Sequence, residues 1–236
     1  MNFMTARWQN LIMANYAVSP EILKPFLPAG TELDYFEGQT YVSLVGFLFT
    51  NIQLFGVSAG PFDTFEEINL RFYVIRRDGK NVKRGVVFIN ETVPYKVVAW
   101  MANKLYKEHY TAIPTKRHWE INDSEKKIEY FWKVKGAWNF IKVKATPEET
   151  VMVKGSIEEF IFEHYYGYTQ ISENISQEYM IAHISWMINK IDYSSVVCDF
   201  SAMYGDAFAA LSTTLPNSIM LAIGSDIAVN WKRTKF

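Results

Sequence analysis

Residues 65–92 read FEEINLRFYVIRRDGKNVKRGVVFINET, and this stretch decides the fold class. From Phe65 to Ile75 apolar and polar side chains alternate, which is the period of a β-strand. The turn signal Arg77-Asp78-Gly79 follows, and a second strand pattern runs over Lys83–Thr92. Two such runs on either side of a short glycine-containing turn predict an antiparallel hairpin.

The sequence around this hairpin adds many strands and few helices. Strand patterns occur at 6–17, 32–36, 40–54, 110–122, 127–136 and 138–145, with two or three more strands near the end. Helices are predicted after the Ser19-Pro20 cap, over Pro94–Glu108 with a stripe of Val97, Val98, Met101, Ala102 and Leu105, from the Ser156 capping box to about Tyr165, and near 199–210.

These helices are too few and too irregularly placed for repeated βαβ units, which excludes a doubly wound sheet. The pattern favours an α+β fold in which an antiparallel β-barrel carries flanking helices. No linker, charge block or repeat divides the 236 residues, so residues 1–236 are predicted to form a single domain.

Charge and cysteine content limit the function classes. The net charge is −1 and basic residues are spread along the chain, whereas nucleic-acid binders carry a dense basic face. No apolar window approaches the ~20 residues that cross a bilayer, and polar residues interrupt the N-terminal stretch where a signal peptide would need an apolar core. The single cysteine, Cys198, fits a reducing compartment. We therefore expect a cytoplasmic protein that binds neither nucleic acid nor membrane; a homo-oligomer is left open.

Motifs for common cofactors and metals are missing from the sequence. It has no dinucleotide-binding or phosphate-loop glycine pattern, and its four histidines lack ligand spacing. The stretch Gly56-Val57-Ser58-Ala59-Gly60 matches a serine-hydrolase pattern, but a strand rather than a helix follows it, so we interpret it as a loop. We expect no cofactor and no metal.

The polar face of the first hairpin strand is the main candidate site. It carries Glu67, Asn69, Arg71 and Tyr73, and the partner strand adds Glu91 to the same face. Two carboxylates and an arginine on one surface can form an acid/base pair or hold an anionic ligand. The alternative is an ordinary solvated strand face with a salt bridge.

Two further residues are candidates from their positions. In strand 110–122 the more apolar odd-numbered face includes Arg117, which predicts an inward arginine that holds a ligand or forms a structural ion pair, while Lys116 faces water. In the helix after Ser156, His164 falls on the core-facing stripe, as a hydrogen-bonded core histidine or as a catalytic base.

Several blocks along nearly the whole chain carry a family resemblance. They are Arg7-Trp8, Asn15-Tyr16, Leu27-Pro28-Ala29-Gly30, Glu67-Ile68-Asn69-Leu70-Arg71-Phe72-Tyr73-Val74, Arg84-Gly85-Val86-Val87-Phe88, Leu105-Tyr106-Lys107-Glu108, Glu163-His164-Tyr165-Tyr166-Gly167-Tyr168-Thr169, Tyr204-Gly205 and Gly224-Ser225. Together they resemble the YqjF-like proteins, an uncharacterised bacterial family. The resemblance implies a fold like that of acetoacetate decarboxylase, a β-barrel with helices packed outside.

Acetoacetate decarboxylases use a Schiff-base lysine within a P-K-K block that follows a helix like Pro94–Glu108. This sequence departs from that pattern. The nearest match is Pro114-Thr115-Lys116-Arg117, with one residue inserted; if the block instead corresponds to the helix end, His109-Tyr110-Thr111 occupies it and the lysine is absent. The resemblance also implies that Glu67 corresponds to the acidic residue of the decarboxylases.

Three functional hypotheses follow. The first is a barrel pocket for a small anionic or carbonyl-bearing molecule. The second is a lyase or hydrolase acting on a carbonyl compound without the decarboxylase lysines, and the third is a structural or interaction domain without a pocket. In the first, Arg71 and Arg117 contact the ligand, with Glu67, Tyr73, His164 and Tyr168 in support. In the second, Glu67 or His164 acts as general base and an arginine holds the charge.

Overall fold

The structure is a computed structural model that describes residues 2–230 and 232–236, without the side chains of Leu105 and Tyr106. Strands account for most of it. They are β1 (Asn2–Val18), β2 (Glu32–Leu33), β3 (Thr40–Leu54), β4 (Val57–Ser58), β5 (Phe65–Asp78), β6 (Asn81–Val93), β7 (Tyr110–Ala112), β8 (Thr115–Ile121), β9 (Lys126–Val134), β10 (Ala137–Val151), β11 (Tyr166–Ser172), β12 (Ile175–Ala182), β13 (Met187–Val197), β14 (Ser218–Ala222), β15 (Asp226–Asn230) and β16 (Thr234–Lys235). The α-helices are α1 (Pro20–Leu23), α2 (Lys96–Tyr106), α3 (Ile157–Phe162) and α4 (Phe200–Tyr204), and short 3-10 helices lie at Lys24–Phe26, Gly60–Phe62 and Asp206–Ser212.

A closed barrel of seven strands is the centre of the fold. Its order is β1-β3-β5-β6-β11-β12-β15, and β15 pairs with β1 to close it. The pairing of β6 with β11 is parallel, and the other pairings in the ring are antiparallel. The expected antiparallel barrel is therefore mixed, because the long excursion between β6 and β11 returns the chain in the same direction.

A second sheet continues from the barrel through β1. Strand β14 pairs with the second half of β1, and β13, β10, β9 and β8 follow in that order. Its inner face packs on the outside of the barrel wall, where Ile68 and Leu70 of β5 share a core with Tyr130 and Ile141. Gly46 allows this approach, because a Cβ there would lie 3.0 Å from Ile141.

Strand β5 is buried on both faces. Its even-numbered residues Ile68, Leu70, Phe72 and Val74 lie in the core between barrel and second sheet, as predicted from the alternation. Its odd-numbered residues face the barrel interior, where Glu67 is only 3% exposed. The alternative interpretation of the odd-numbered residues, as an ordinary solvated strand face, is therefore wrong.

Helices cover the two ends of β5. Near Phe65, Tyr95 at the start of α2 packs edge-on against the phenylalanine ring at 5.9 Å. Near Tyr73, Phe160 of α3 contacts the tyrosine ring at 5.4 Å.

None of the helices in the described residues is long and apolar enough to cross a membrane.

Several element boundaries differ from the sequence-based prediction. The predicted strand 110–122 is split into β7 and β8 around Pro114, whose missing N–H interrupts the ladder. Helix α3 ends at Phe162, so His164 follows the helix. The described residues after 165 form six strands where two or three were predicted, because their polar and apolar residues alternate less regularly.

Gly167 in β11 makes room for a ring inside the barrel. A Cβ at this position would lie 2.2 Å from Tyr179 Cζ of β12. We predict that Gly167→Ala lowers the free energy of unfolding by about 1–3 kcal/mol, the usual cost of overpacking. When Tyr179 is itself replaced by alanine, adding Gly167→Ala should lower the free energy of unfolding by much less. Urea unfolding of Tyr179→Ala and of the double variant Gly167→Ala/Tyr179→Ala measures this smaller cost. An equal cost in both backgrounds would contradict this packing.

Candidate functional site

The barrel encloses a cavity of about 390 Å³. Strands β1, β3, β5, β6, β12 and β15 contribute its walls, and one side of α2 closes it through Val97, Val98, Met101 and Ala102. These four residues belong to the helix stripe predicted from the sequence; the side chain of Leu105, the fifth, lies outside the described residues. The apolar lining also includes Phe3, Trp8, Leu11, Val45, Phe47, Phe49, Ile52, Phe65, Phe88, Ile181 and Val229.

Polar side chains in this wall form one interacting cluster. Strand β5 supplies three of them, β6 one, the segment that leaves α2 two, β12 one and the segment after β15 one. The members are Glu67, Asn69, Arg71, Glu91, Glu108, Tyr110, Tyr179 and Arg233. The cavity therefore combines a large aromatic and aliphatic surface with a confined polar region, as small-molecule sites commonly do.

Glu67 is the most connected carboxyl group of the cluster. Its Oε1 accepts a hydrogen bond from Asn69 Nδ2 at 3.0 Å, and its Oε2 lies 3.5 Å from the Tyr110 hydroxyl. Burial raises the pKa of Glu67 to about 7, even though these hydrogen bonds and the Arg71 charge lower it. Near neutral pH the group is thus present in both its acid and its base form.

Tyr110 connects Glu67 to a second carboxyl, that of Glu91. Its hydroxyl donates to Glu91 Oε1 at 2.7 Å. A bulge in the hairpin between Leu70 and Arg71 sets Glu91 opposite Asn69, so that it points into the barrel beside Glu67. Burial, with the negative charge of Glu67 next to it, raises the pKa of Glu91 well above its usual value and favours the protonated form.

Glu108 is the third buried carboxyl. Helix α2 ends at Lys107, whose left-handed backbone (φ 59°) turns the chain so that Glu108 enters the wall. Its Oε1 accepts a hydrogen bond from Thr169 Oγ1 at 2.6 Å, and Tyr179 is a second partner. Burial raises the pKa of Glu108 to about 7 against these hydrogen bonds.

Arg71 places a guanidinium beside these carboxyls without forming an ion pair to a described residue. Its Nη2 donates to the carbonyl oxygen of Ile161 at 3.2 Å and lies 3.5 Å from Met13 Sδ. The Arg71 Nε–H and the Asn69 Oδ1 are buried and have no partner among the described residues. Buried polar atoms are nearly always paired, so these two are candidates for contact with a ligand.

Three other predicted site residues are buried outside the cavity lining. Tyr73 forms a 2.6 Å hydrogen bond with Ser43, and Tyr168 donates to Glu178 at 3.2 Å. His164 Nε2 lies 3.1 Å from Asp34 Oδ2, and burial lowers its pKa to about 4. A hydrogen-bonded core histidine describes this geometry. The Arg71 guanidinium lies over the Tyr73 ring, 5.6 Å from its centroid, but none of the three residues lines the cavity with Glu67 and Arg71.

The prediction that Arg117 points inward is wrong. Its side chain is 38% exposed and pairs with Glu66 at 2.5 Å, so the structural ion pair is what the structure shows. Arg117 does share a face with Trp119, but β8 is the last strand of the second sheet and leaves the guanidinium open to solvent. Lys116 is exposed, as predicted, with its ammonium 4.4 Å from the Trp138 ring centroid.

Lysines are absent from the described cavity lining. Glu108 and Tyr110 are the residues that enter the cavity after α2. Among the described residues, no cluster of three histidine, cysteine or acidic side chains is arranged to hold a metal ion.

Sequence reasoning missed Glu108, Tyr110, Tyr179 and Arg233. The first two lie at and just after the predicted end of a helix, and their signs were the resemblance block that contains Glu108 and the His109-Tyr110-Thr111 stretch considered for the lysine block. Tyr179 and Arg233 lie in the C-terminal region whose strands were underpredicted.

A family model described as "Uncharacterized conserved protein" (DUF2071) matches residues 5–226. The chain belongs to this family. It is 24% identical over 194 residues to the uncharacterized protein YqjF of Bacillus subtilis (strain 168), covering 80% of this chain and 76% of that protein. The resemblance to YqjF-like proteins is thereby confirmed.

Solved structures with a similar fold are acetoacetate decarboxylase-like enzymes. The acetoacetate decarboxylase of Legionella pneumophila matches with a TM-score of 0.63 at 9% identity, over 100% of this chain and 90% of the other. The enduracididine biosynthesis enzyme MppR, in complex with pyruvate, matches with a TM-score of 0.60 at 12% identity, over 97% and 88%. At these identities the likeness establishes the decarboxylase-like fold.

The buried carboxyls make stability depend on pH. Between an unfolded pKa of 4.5 and a folded pKa of about 7, the unfolded chain releases the Glu67 proton while the folded protein keeps it. Rising pH therefore lowers stability through this window, by on the order of 3 kcal/mol for this one group. We predict that Glu67→Gln removes that loss. The free energy of unfolding of the variant should therefore rise relative to that of the natural protein as the pH increases from 5 to 8.

Urea unfolding at several pH values measures this difference. His164, whose folded pKa is lowered, adds a pH dependence of opposite sign, but it is present in both proteins and cancels in the comparison. Glu173→Gln, at an exposed position, is the matched control and should track the natural protein. Parallel profiles for Glu67→Gln and the natural protein would disprove the raised pKa.

Proposed function

We propose that this protein binds a small, largely apolar carbonyl compound inside its barrel, with the carbonyl oxygen at the polar cluster. The observation that carries the proposal is the cavity of about 390 Å³, in which an aromatic and aliphatic wall surrounds Glu67, Asn69 and Arg71. Such a volume suits a molecule of drug-like or smaller size. A structural domain without a pocket fits this interior poorly.

The polar cluster favours a neutral carbonyl over an anion as the ligand head group. Burial in this wall disfavours charged groups, as the raised pKa values of Glu67, Glu91 and Glu108 show, so transferring an anionic head group from water would cost a large desolvation free energy. A carbonyl oxygen needs only donors, and the Arg71 Nε–H and the acid form of Glu91, which its raised pKa favours, can supply them. Both are buried in a region of low dielectric, where such hydrogen bonds are strong.

The lysine-dependent chemistry of the decarboxylases finds no support in this interior. Imine formation needs an unprotonated lysine next to the substrate carbonyl, and the described lining offers carboxyl, hydroxyl and guanidinium groups instead. The neighbours with similar folds, one of them holding pyruvate, share the barrel and support ligand binding within it.

A matched ligand pair tests the proposal. We predict that 4-phenylbutan-2-one binds about fivefold tighter than butylbenzene, because a carbonyl gains one net hydrogen bond of ~1 kcal/mol at the polar cluster. Titration followed by ¹H–¹⁵N NMR gives both affinities. Arg71→Met should reduce the preference for the ketone, whereas Arg77→Met, at an exposed arginine of the same strand, should leave it unchanged.

A cavity-filling variant locates the binding. Ala102→Trp places an indole in the lining from α2, and we expect it to abolish binding of both compounds. Lys96→Trp, at an exposed position on the same helix, serves as control. Absence of binding in the natural protein, or full binding in folded Ala102→Trp, would refute an interior site.

A further inference from the structure

The hydroxyl of Tyr110 stands between two carboxyl groups that differ in their surroundings. It donates to Glu91 Oε1 at 2.7 Å and lies 3.5 Å from Glu67 Oε2. Burial and the two neighbouring carboxyls raise the pKa of Tyr110 well above 10, so the phenol keeps its proton. The hydroxyl lies within hydrogen-bond distance of both carboxyls and closer to Glu91, so the remaining partners of each glutamate decide which of the two is more easily charged.

The other partners of these two carboxyls favour Glu67 over Glu91 as the group that exchanges protons. Glu91 Oε2 is buried and has no partner in the described part of the chain, which disfavours its charged form. Glu67 has both oxygens near donors, from Asn69 and Tyr110, and faces the positive charge of Arg71. Of the two, the Glu67 carboxylate is therefore the one that the surroundings stabilise better.

We infer that Glu67 acts as a general base on the carbon next to the carbonyl of the bound ligand, so that the cavity enolises apolar ketones. The inference rests on the proposed function, because the carbonyl must lie at the polar cluster. Glu67 and Arg71 both line the same stretch of the cavity wall from one face of β5. This arrangement places a base and a cationic donor on the same side of a ligand.

The step balances without a co-reactant. A Glu67 carboxylate oxygen takes the proton from the α-carbon, the C–H electron pair becomes the carbon–carbon double bond, and the carbonyl π pair moves to oxygen. The oxygen accepts a hydrogen bond from the Arg71 Nε–H, which has no partner among the described residues. Return of the proton from Glu67 to carbon restores the ketone, or moves the double bond when the ketone is unsaturated.

The apolar wall supports this chemistry. Aromatic residues of β1, β3, β5 and β6 surround the ligand site and limit water, so that the charge that develops on the carbonyl oxygen is held by fixed dipoles and by Arg71. Tyr110 is a positioning residue, because it touches Glu67 and not the carbon that reacts. Its hydrogen bond lowers the pKa of Glu67 and so favours the base form.

Exchange of α-hydrogens for deuterium tests the inference. With 4-phenylbutan-2-one in D₂O, ¹H NMR should show loss of the α-proton signals faster than in buffer. The rate per bound ligand should rise with pH through about 7, as Glu67 loses its proton, and then level off. Glu67→Gln should slow exchange by roughly 100-fold or more, the usual share of a general base, while Glu173→Gln leaves it unchanged.

The pH dependence of the exchange rate distinguishes a positioning role of Tyr110 from a merely structural one. In Tyr110→Phe the hydrogen bond that lowers the pKa of Glu67 is gone, so the midpoint of the profile should move to higher pH. This variant also carries the test if Glu67→Gln does not fold. The charged and titratable groups that face Glu67 and contribute to the profile are Arg71, Glu91, Glu108, Tyr110, Tyr179 and Arg233.

The outcomes distinguish the two proposals. Ketone binding without exchange above the buffer rate overturns the enolisation and leaves the binding function intact. No binding overturns the proposed function and the enolisation with it. Undiminished exchange in folded Glu67→Gln, or an unmoved midpoint in Tyr110→Phe, overturns the role of Glu67.

Discussion

The burial of strand β5 on both faces is the constraint on which the rest of the structure depends. Its even-numbered face packs against the second sheet, and its odd-numbered face forms part of the barrel interior. A polar residue on such a strand cannot reach water, and its burial costs free energy unless partners are supplied. Glu67, Asn69 and Arg71 occur in succession on the inner face, and neighbouring elements are arranged around them.

Those partners come from parts of the chain that are distant in sequence. Tyr110 reaches Glu67 and Glu91 because β7 pairs with β6, and Arg71 is held by a carbonyl of α3. The compensation is incomplete, because the Arg71 Nε–H and the Asn69 Oδ1 have no partner in the described chain. An incompletely satisfied polar cluster beside an apolar cavity is typical of a site that a ligand completes.

The sequence predicted the parts of this arrangement that depend on local alternation. The hairpin and the packed even face of β5 follow from a period of two and one turn, whereas Glu91 reaches the face of Glu67 because a bulge between Leu70 and Arg71 shifts the register. Arg117 shows the limit of that reasoning, since alternation gives the face of a residue but not whether its strand lies at the edge of a sheet. Glu108 and Tyr110 enter the site through the end of α2 and a parallel pairing, and neither has a local signal.

Direct titration of the glutamate side chains is the sharpest test of the buried carboxyl cluster. In protein labelled with ¹³C at the glutamate carboxyl, the Glu67 and Glu108 resonances should titrate near pH 7 and that of Glu91 well above the usual glutamate range. Assignment follows from the loss of one signal in each Glu→Gln variant. If all three titrate near the usual glutamate value of about 4.3, the inner face of β5 is solvated and the account is wrong.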